Sequence, residues 1–140
     1  MKPIGHLAIS VIGSSIIFGI SKNLDNAAVF FISNILIDID HIFDYFRSEG
    51  ISFVSLRQLN NWCYDRKNKR LVLIFHSYEL LFIFWTAIII FKPNPLWIWS
   101  VLGFTVHLIS DQFFNPVFAP SYFFVYRYKK KFRTENLFYR

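Results

Sequence analysis

Four ionisable side chains interrupt an apolar stretch in the first third of the chain. Residues 35–45 read ILIDIDHIFDY and contain Asp38, Asp40, His41 and Asp44. At about 100° per residue on a helix, all four fall within an arc of roughly 160°. Carboxylates on one face repel each other unless a positive charge lies between them, and a bound metal ion is the natural counter-charge. The alternative is a helix that leaves the apolar phase early, so that these groups meet water.

Further histidine and carboxylate side chains lie in the other apolar runs. His107 and Asp111 are four residues apart, so on a helix they share a face and can hold one ion together. His76 and Glu79 are three residues apart, and Glu79 can bind an ion, orient the imidazole or act as a base. His6 lies at the start of the first run. Each pair alone is also compatible with ordinary packing or hydrogen bonding.

The elements that must position these residues are long apolar runs. Hydrophobic residues make up 54% of the 140-residue chain and charged residues 17%, whereas a soluble domain has ~45–50% and ~25%. The runs cover residues 4–20, 27–46, 71–91 and 96–118. A membrane span needs ~17–25 apolar residues, so the sequence predicts an all-α fold, an integral membrane four-helix bundle in a single domain 1–140. A signal peptide is the alternative for the first run, but no small-x-small cleavage pattern follows it.

Basic residues are concentrated in a loop at 47–70 and a tail at 126–140. Because positive charge marks the cytoplasmic side, we expect both ends of the chain inside a bacterial inner membrane, N-in and C-in. Anionic lipid headgroups explain this placement better than nucleic acid, which is not an expected partner. A short amphipathic helix at the interface is predicted in the loop from its spaced apolar residues, Ile51, Phe53, Val54, Leu56, Leu59 and Trp62.

The predicted topology brings the polar residues to one depth. With a rise of ~1.5 Å per residue, all four histidines and five carboxylates fall near the cytoplasmic face. Unpaired ionisable groups there are costly, so we infer a shared site. Histidine and carboxylate ligands without thiolates favour Zn²⁺, Mn²⁺ or Fe²⁺, as one ion or two. Basic residues near the site are candidates to bind a substrate phosphate, namely Arg47, Lys69, Arg70, Arg127 and Lys129.

Four short motifs contain most of the histidines and carboxylates of this inferred site: GH at 5–6, IDIDH at 37–41, HS at 76–77 and HLISDQFFNP at 107–116. They resemble motifs of a known family, the bacterial inner-membrane metal-dependent hydrolases. The family is related to the zinc-dependent phospholipase C and single-strand nuclease fold, and the resemblance covers residues 5–120. The chain departs from the family pattern at Ile37, where a Pro is usual. It also keeps only His76 and Ser77 of a His-Arg-Gly-x-Thr-His-Ser element.

The resemblance implies a metal-dependent hydrolase with ligands His6, Asp38, His41, His76, His107 and Asp111. Asp40 is implied as a ligand or a supporting residue, and we take Asp40 and Glu79 as the candidate catalytic carboxylates. With the residue pattern, this predicts hydrolysis of a phosphoester in a lipid headgroup at the cytoplasmic face. A small metal-ion or proton transport protein and a metal-stabilised structural or regulatory membrane protein are the alternatives. A b-type haem bundle also uses facing histidines, but the many carboxylates argue against it.

Overall fold

Helices account for most of the computed structural model, which describes residues 3–51, 55–64 and 70–138. They are α1 (Pro3–Ser21), α2 (Leu24–Leu36), α3 (Ile39–Glu49), α4 (Leu56–Tyr64), α5 (Tyr78–Phe91), α6 (Leu96–Phe114) and α7 (Phe124–Lys129). The described ranges contain no strand beyond two isolated bridges, so the all-α prediction is confirmed. Several residues of the predicted basic and amphipathic segments lie outside the described ranges, namely Phe53, Val54, Arg66, Lys67, Lys69 and Arg140.

The helix boundaries differ from the predicted spans at two places. A turn at residues 37–38 separates α2 from α3 within the second apolar run. Residues 71–77 are not helical, because the side chain of Ser77 accepts a hydrogen bond from the amide of Leu80 and so begins α5 at Tyr78. Two stretches, Ile4–Ser21 and Leu24–Glu49, are long and apolar enough to cross a membrane. The 14-residue α5 is shorter than a span.

The helices α2 and α6 pack closely against each other. A Cβ atom at Gly103 would lie 2.5 Å from the backbone oxygen of Phe30, so only glycine fits there. The amide of Asn34 donates a 3.0 Å hydrogen bond to the carbonyl of Gly103. The hydroxyl of Ser10 on α1 donates a 2.7 Å bond to the Asn34 side chain. These buried contacts fix α1, α2 and α6 relative to one another.

The C-terminal segment packs against the helices. Leu137 and Trp62 are buried with Leu71 in one hydrophobic cluster, and Arg127 is only 2% exposed. The segment predicted as a basic tail therefore contributes to the folded domain. The predicted amphipathic helix is present as α4, and its Trp62 faces this cluster.

Candidate metal centre

Four side-chain atoms from three parts of the fold meet at one point. His76 Nε2 and His107 Nε2 lie 3.4 Å apart. Asp38 Oδ1 lies 3.6 and 3.5 Å from these two nitrogens, and Asp111 Oδ2 lies 3.5 and 3.6 Å from them. Ligand atoms of a tetrahedral zinc site, with bonds of ~2.0–2.1 Å, are roughly 3.3–3.4 Å apart. The five separations, one between the nitrogens and four between nitrogen and oxygen, are therefore close to those between ligands of a common divalent cation.

The outer nitrogens of both imidazoles are hydrogen-bonded. His107 Nδ1 donates a 2.6 Å bond to the backbone oxygen of Asn34, and His76 Nδ1 donates a 3.3 Å bond to Asp40 Oδ2. A neutral imidazole that donates from Nδ1 has a lone pair on Nε2. With both rings in this neutral form, the two Nε2 lone pairs would face each other at 3.4 Å, an arrangement that a cation between them stabilises. Hydrogen bonds of this kind orient histidine ligands in metal sites.

His6 completes the inner wall of the cluster. Its Nε2 lies 3.0 Å from Asp111 Oδ1, and its ring stacks on that of His107 with centroids 4.1 Å apart. The buried Nδ1 has no hydrogen-bond partner among the described residues. His6, His107 and Asp111 form one group of potential ligands, and Asp38, His76 and His107 form a second.

His41 lies at the edge of the cluster. Its Nε2 is 3.8 Å from Asp38 Oδ1, its ring is 5.0 Å from that of His76, and its Nδ1 contacts Cys63 Sγ at 3.7 Å. Burial raises the pKa of the Cys63 thiol to about 12, so the sulfur stays protonated at neutral pH. The ligand role of His41 stays a prediction.

The ionisable side chains of residues 38–44 form two sets that face in different directions. Asp38 and His41 face the cluster. Asp40 and Asp44 instead accept hydrogen bonds from amides of the segment 71–77. Asp40 also holds the His76 ring, so its contacts are those of an orienting carboxylate, in keeping with the supporting role. Its catalytic role stays a prediction.

Glu79 is not brought to the cluster. Its carboxylate accepts hydrogen bonds of 2.8 Å from the amide of Phe124 and 3.0 Å from the amide of Val125. These bonds hold the start of α7 against α5. Its predicted catalytic role stays a prediction, which these contacts do not support.

Two of the predicted phosphate-binding residues have partners within the protein. Arg47 binds Asp44 at 3.2 Å and the backbone oxygen of Arg70 at 3.2 Å. The guanidinium of Arg127 donates to three backbone carbonyls. Burial lowers the pKa of Arg127 to about 10, which leaves it charged at neutral pH. Lys129 and the side chain of Arg70 are exposed.

A cavity of about 620 Å³ opens beside the cluster. One part of its wall is polar and consists of His6, Asp38, His41, His76 and Asp111. Most of the remaining wall is apolar and comes from several segments, including Leu7, Ile35, Leu59, Leu71, Val117 and Phe138. The helix α4 and the C-terminal segment therefore close the site on one side.

Comparison with protein-family models, curated proteins and solved structures finds no match. The resemblance carried by the short motifs thus stays a hypothesis, and the functional conclusion depends on the geometry of the site.

Sequence reasoning missed several residues of the cavity wall. Asn115, Tyr122 and Leu137 all line it, and Asn115 donates a 3.3 Å hydrogen bond to the Tyr122 hydroxyl. Burial raises the pKa of Tyr122, so the hydroxyl stays neutral. Asn115 lies within the motif at 107–116, which was the available signal. No sequence signal pointed to Leu137, because its contact with the site depends on how the C-terminal segment folds.

Proposed function

We propose that this protein is a membrane-embedded, metal-dependent hydrolase that cleaves a phosphoester in an amphiphilic lipid. The observation that supports the metal centre best is the set of distances among four atoms. His76 Nε2, His107 Nε2, Asp38 Oδ1 and Asp111 Oδ2 have pairwise nitrogen–nitrogen and nitrogen–oxygen separations of 3.4–3.6 Å. Such a set of donors, three of them buried and Asp38 partly exposed, suits one divalent transition-metal ion, with zinc the best match to the ligand types.

When bound, this ion would supply Lewis acidity to a phosphoryl oxygen and acidify a coordinated water. The chain's own groups hold the ligands in place for that chemistry. The Asn34 carbonyl and the Asp40 carboxylate keep both imidazoles in the required tautomer. Asp38, with 31% of its side chain exposed, is the ligand nearest to solvent. His41 lines the cavity beside it, where the Nε2 of the neutral imidazole can accept a proton.

The cavity supports an amphiphilic substrate. Its volume of about 620 Å³ lies within the ~300–1,000 Å³ usual for small-molecule sites. Three histidines and two aspartates form the metal-binding wall, and aliphatic and aromatic side chains form most of the rest. A lipid would place its phosphoester headgroup at the polar wall and its apolar chain along the apolar wall.

The outer surface supports a location in a membrane. Large apolar side chains are exposed on α1, α5 and α6, among them Ile4, Ile12, Ile16, Ile20, Phe82, Ile89, Phe91 and Trp97. Exposed large apolar side chains in this number are unusual on a soluble monomer. Non-helical backbone at membrane depth requires internal hydrogen bonds, and side chains supply them to the segment 71–77. We propose the N-in, C-in topology in a bacterial inner membrane, with the site at the cytoplasmic face.

The interior argues against the transport alternative. Two buried polar side chains, Ser10 and Asn34, extend inward from the site, followed by the neutral hydroxyls of Ser14, Ser33 and Ser100. The described part of the bundle is then closed by the apolar cluster of Ile17, Ala27 and Phe30. A path for ions needs polar groups through the whole thickness, so this arrangement favours a site with one opening.

The test is hydrolysis by detergent-purified protein loaded with Zn²⁺ or Mn²⁺. Phosphatidic acid and a phosphatidylcholine in mixed micelles are the probes, with glycerol phosphate as the water-soluble comparison. We expect metal-dependent release of phosphate or headgroup from a lipid, faster than from glycerol phosphate, and its loss in Asp111→Asn. Asp25→Asn, which changes an exposed carboxylate outside the site, is the control. Metal-loaded protein inactive on every lipid phosphoester would favour a structural or regulatory role.

A further inference from the structure

The segment 71–77 is an irregular stretch of backbone that carries His76. It leads into the start of α5 and is not itself helical. Leu73 has a φ of 46°, in the left-handed region that a branched residue rarely adopts. Such a conformation persists only where surrounding contacts enforce it. The position of the His76 imidazole therefore depends on groups outside the segment.

Side chains from two directions enforce this conformation. On one side, Asp40 and Asp44 of α3 accept hydrogen bonds from four of the segment's amides. On the other side, Arg127 of α7 donates to its carbonyls. Arg127 Nη1 lies 2.8 Å from the His76 oxygen, and Nη2 lies 2.7 Å from the Leu73 oxygen. The guanidinium thus spans the turn that precedes the ligand.

Arg127 is also fixed to its own side of the site. Its Nη1 donates a 2.6 Å hydrogen bond to the carbonyl of Ser121, and its side chain is buried and borders the cavity. The planar guanidinium presents several donors in a fixed fork, whereas a lysine ammonium is a point charge. Three carbonyls in different directions therefore require arginine.

We propose that Arg127 is a positioning residue for the metal centre, which holds the backbone of His76 so that Nε2 points at the ion. The proposal depends on the metal-dependent function. Charge and geometry predict opposite effects, and this makes the proposal testable. A positive charge near the site repels a bound cation. If Arg127 acts only through its charge, its replacement by a neutral residue should make metal binding tighter. If Arg127 positions His76, its replacement should make metal binding weaker.

The experiment is a Co²⁺ titration of detergent-purified protein, followed by the visible absorption bands that report ligand geometry. The variants are Arg127→Lys, which keeps the charge, and Arg127→Gln, which removes it. Arg133→Gln is the control, because Arg133 is an exposed residue of the same segment whose side chain contacts Glu135. We expect both Arg127 variants to bind Co²⁺ ~10–100-fold more weakly, the usual effect of losing a group that supports a ligand. Their absorption bands should change, and the control should match the wild type.

Several results would overturn the proposal. Wild-type affinity and absorption bands in both Arg127 variants would show that His76 is positioned without Arg127. Tighter binding by Arg127→Gln, with wild-type binding by Arg127→Lys, would assign Arg127 an effect through charge alone. Loss of helical circular dichroism in both variants would make Arg127 a residue of the fold. Absence of Co²⁺ binding by the wild type would refute the metal-dependent function itself, together with this proposal.

Discussion

His107 Nδ1 donates a 2.6 Å hydrogen bond to the backbone carbonyl of Asn34, so the backbone of α2 orients a ligand carried by α6. The same Asn34 holds the carbonyl of Gly103 through its side-chain amide. The orientation of the imidazole therefore depends on the separation of these two helices.

Gly103→Ala tests this dependence. The new methyl group would lie 2.5 Å from a backbone oxygen of α2, so α6 must move outward. We expect a loss of ~1–3 kcal/mol in the free energy of unfolding, typical of overpacking, together with weaker metal binding. Gly19→Ala is the control, because nothing lies within 4 Å of its new methyl group. We expect it to be neutral or to stabilise α1 by up to ~1 kcal/mol. Thermal unfolding in detergent, followed by circular dichroism, measures the stability of both variants. Equal melting temperatures would mean that the close approach of α2 and α6 does not require glycine at position 103.

Asp40→Ala tests whether this carboxylate supports the site. Without it, the ring of His76 and two amides lose their acceptor. We expect zinc affinity to fall ~10–100-fold, measured by competition with a chromogenic chelator. Asp25→Ala removes an exposed carboxylate of α2 and should leave the affinity unchanged. Unchanged affinity in Asp40→Ala would mean that other contacts alone set the orientation of His76.

Glu79→Gln separates a structural from a catalytic carboxylate. Because Glu79 accepts hydrogen bonds from two amides at the start of α7, we expect a loss of stability of ~0.5–2 kcal/mol, as for a helix cap. Metal content and the turnover rate on a lipid phosphoester should stay near wild type. A general base would instead be worth ~10²–10⁴-fold in rate. A fall of that size with full metal content would restore the catalytic assignment.

Leu59→Trp tests whether the apolar part of the cavity binds the substrate. Leu59 lies on α4 and lines the cavity, so an indole there would occupy space needed by an apolar chain. We expect a higher KM for long-chain lipids, a smaller change for short-chain ones, and unchanged metal content. The matched control is Asn61→Trp, at an exposed position of the same helix. Equal kinetics of Leu59→Trp and the control on every chain length would place the substrate elsewhere.

The convergence of the histidines was predictable from sequence, because apolar runs of similar length place residues near their ends at similar depths. His6, Asp38, His76, His107 and Asp111 all reach the cluster in the structure. That prediction needed only the order and lengths of the runs.

Side-chain directions were less predictable, because they depend on where helices break. The i, i+3 argument for His76 and Glu79 requires both residues on one helix, but Ser77 caps α5 and leaves His76 before it. Asp40 and Asp44 likewise accept hydrogen bonds from amides of the non-helical segment 71–77, and these contacts depend on where α5 begins. Inward packing of the C-terminal segment is a long-range contact that no local pattern encodes.

Metal content of detergent-purified protein, measured by mass spectrometry, shows whether the histidines and aspartates hold a metal ion. The wild type, Asp25→Asn, His107→Ala and Asp111→Asn are measured together after loading with zinc, manganese or iron. We predict near-stoichiometric metal in the wild type and in Asp25→Asn, and its loss in the other two. No metal in the wild type after loading, or equal metal in all four proteins, would mean that His107 and Asp111 do not bind a metal ion.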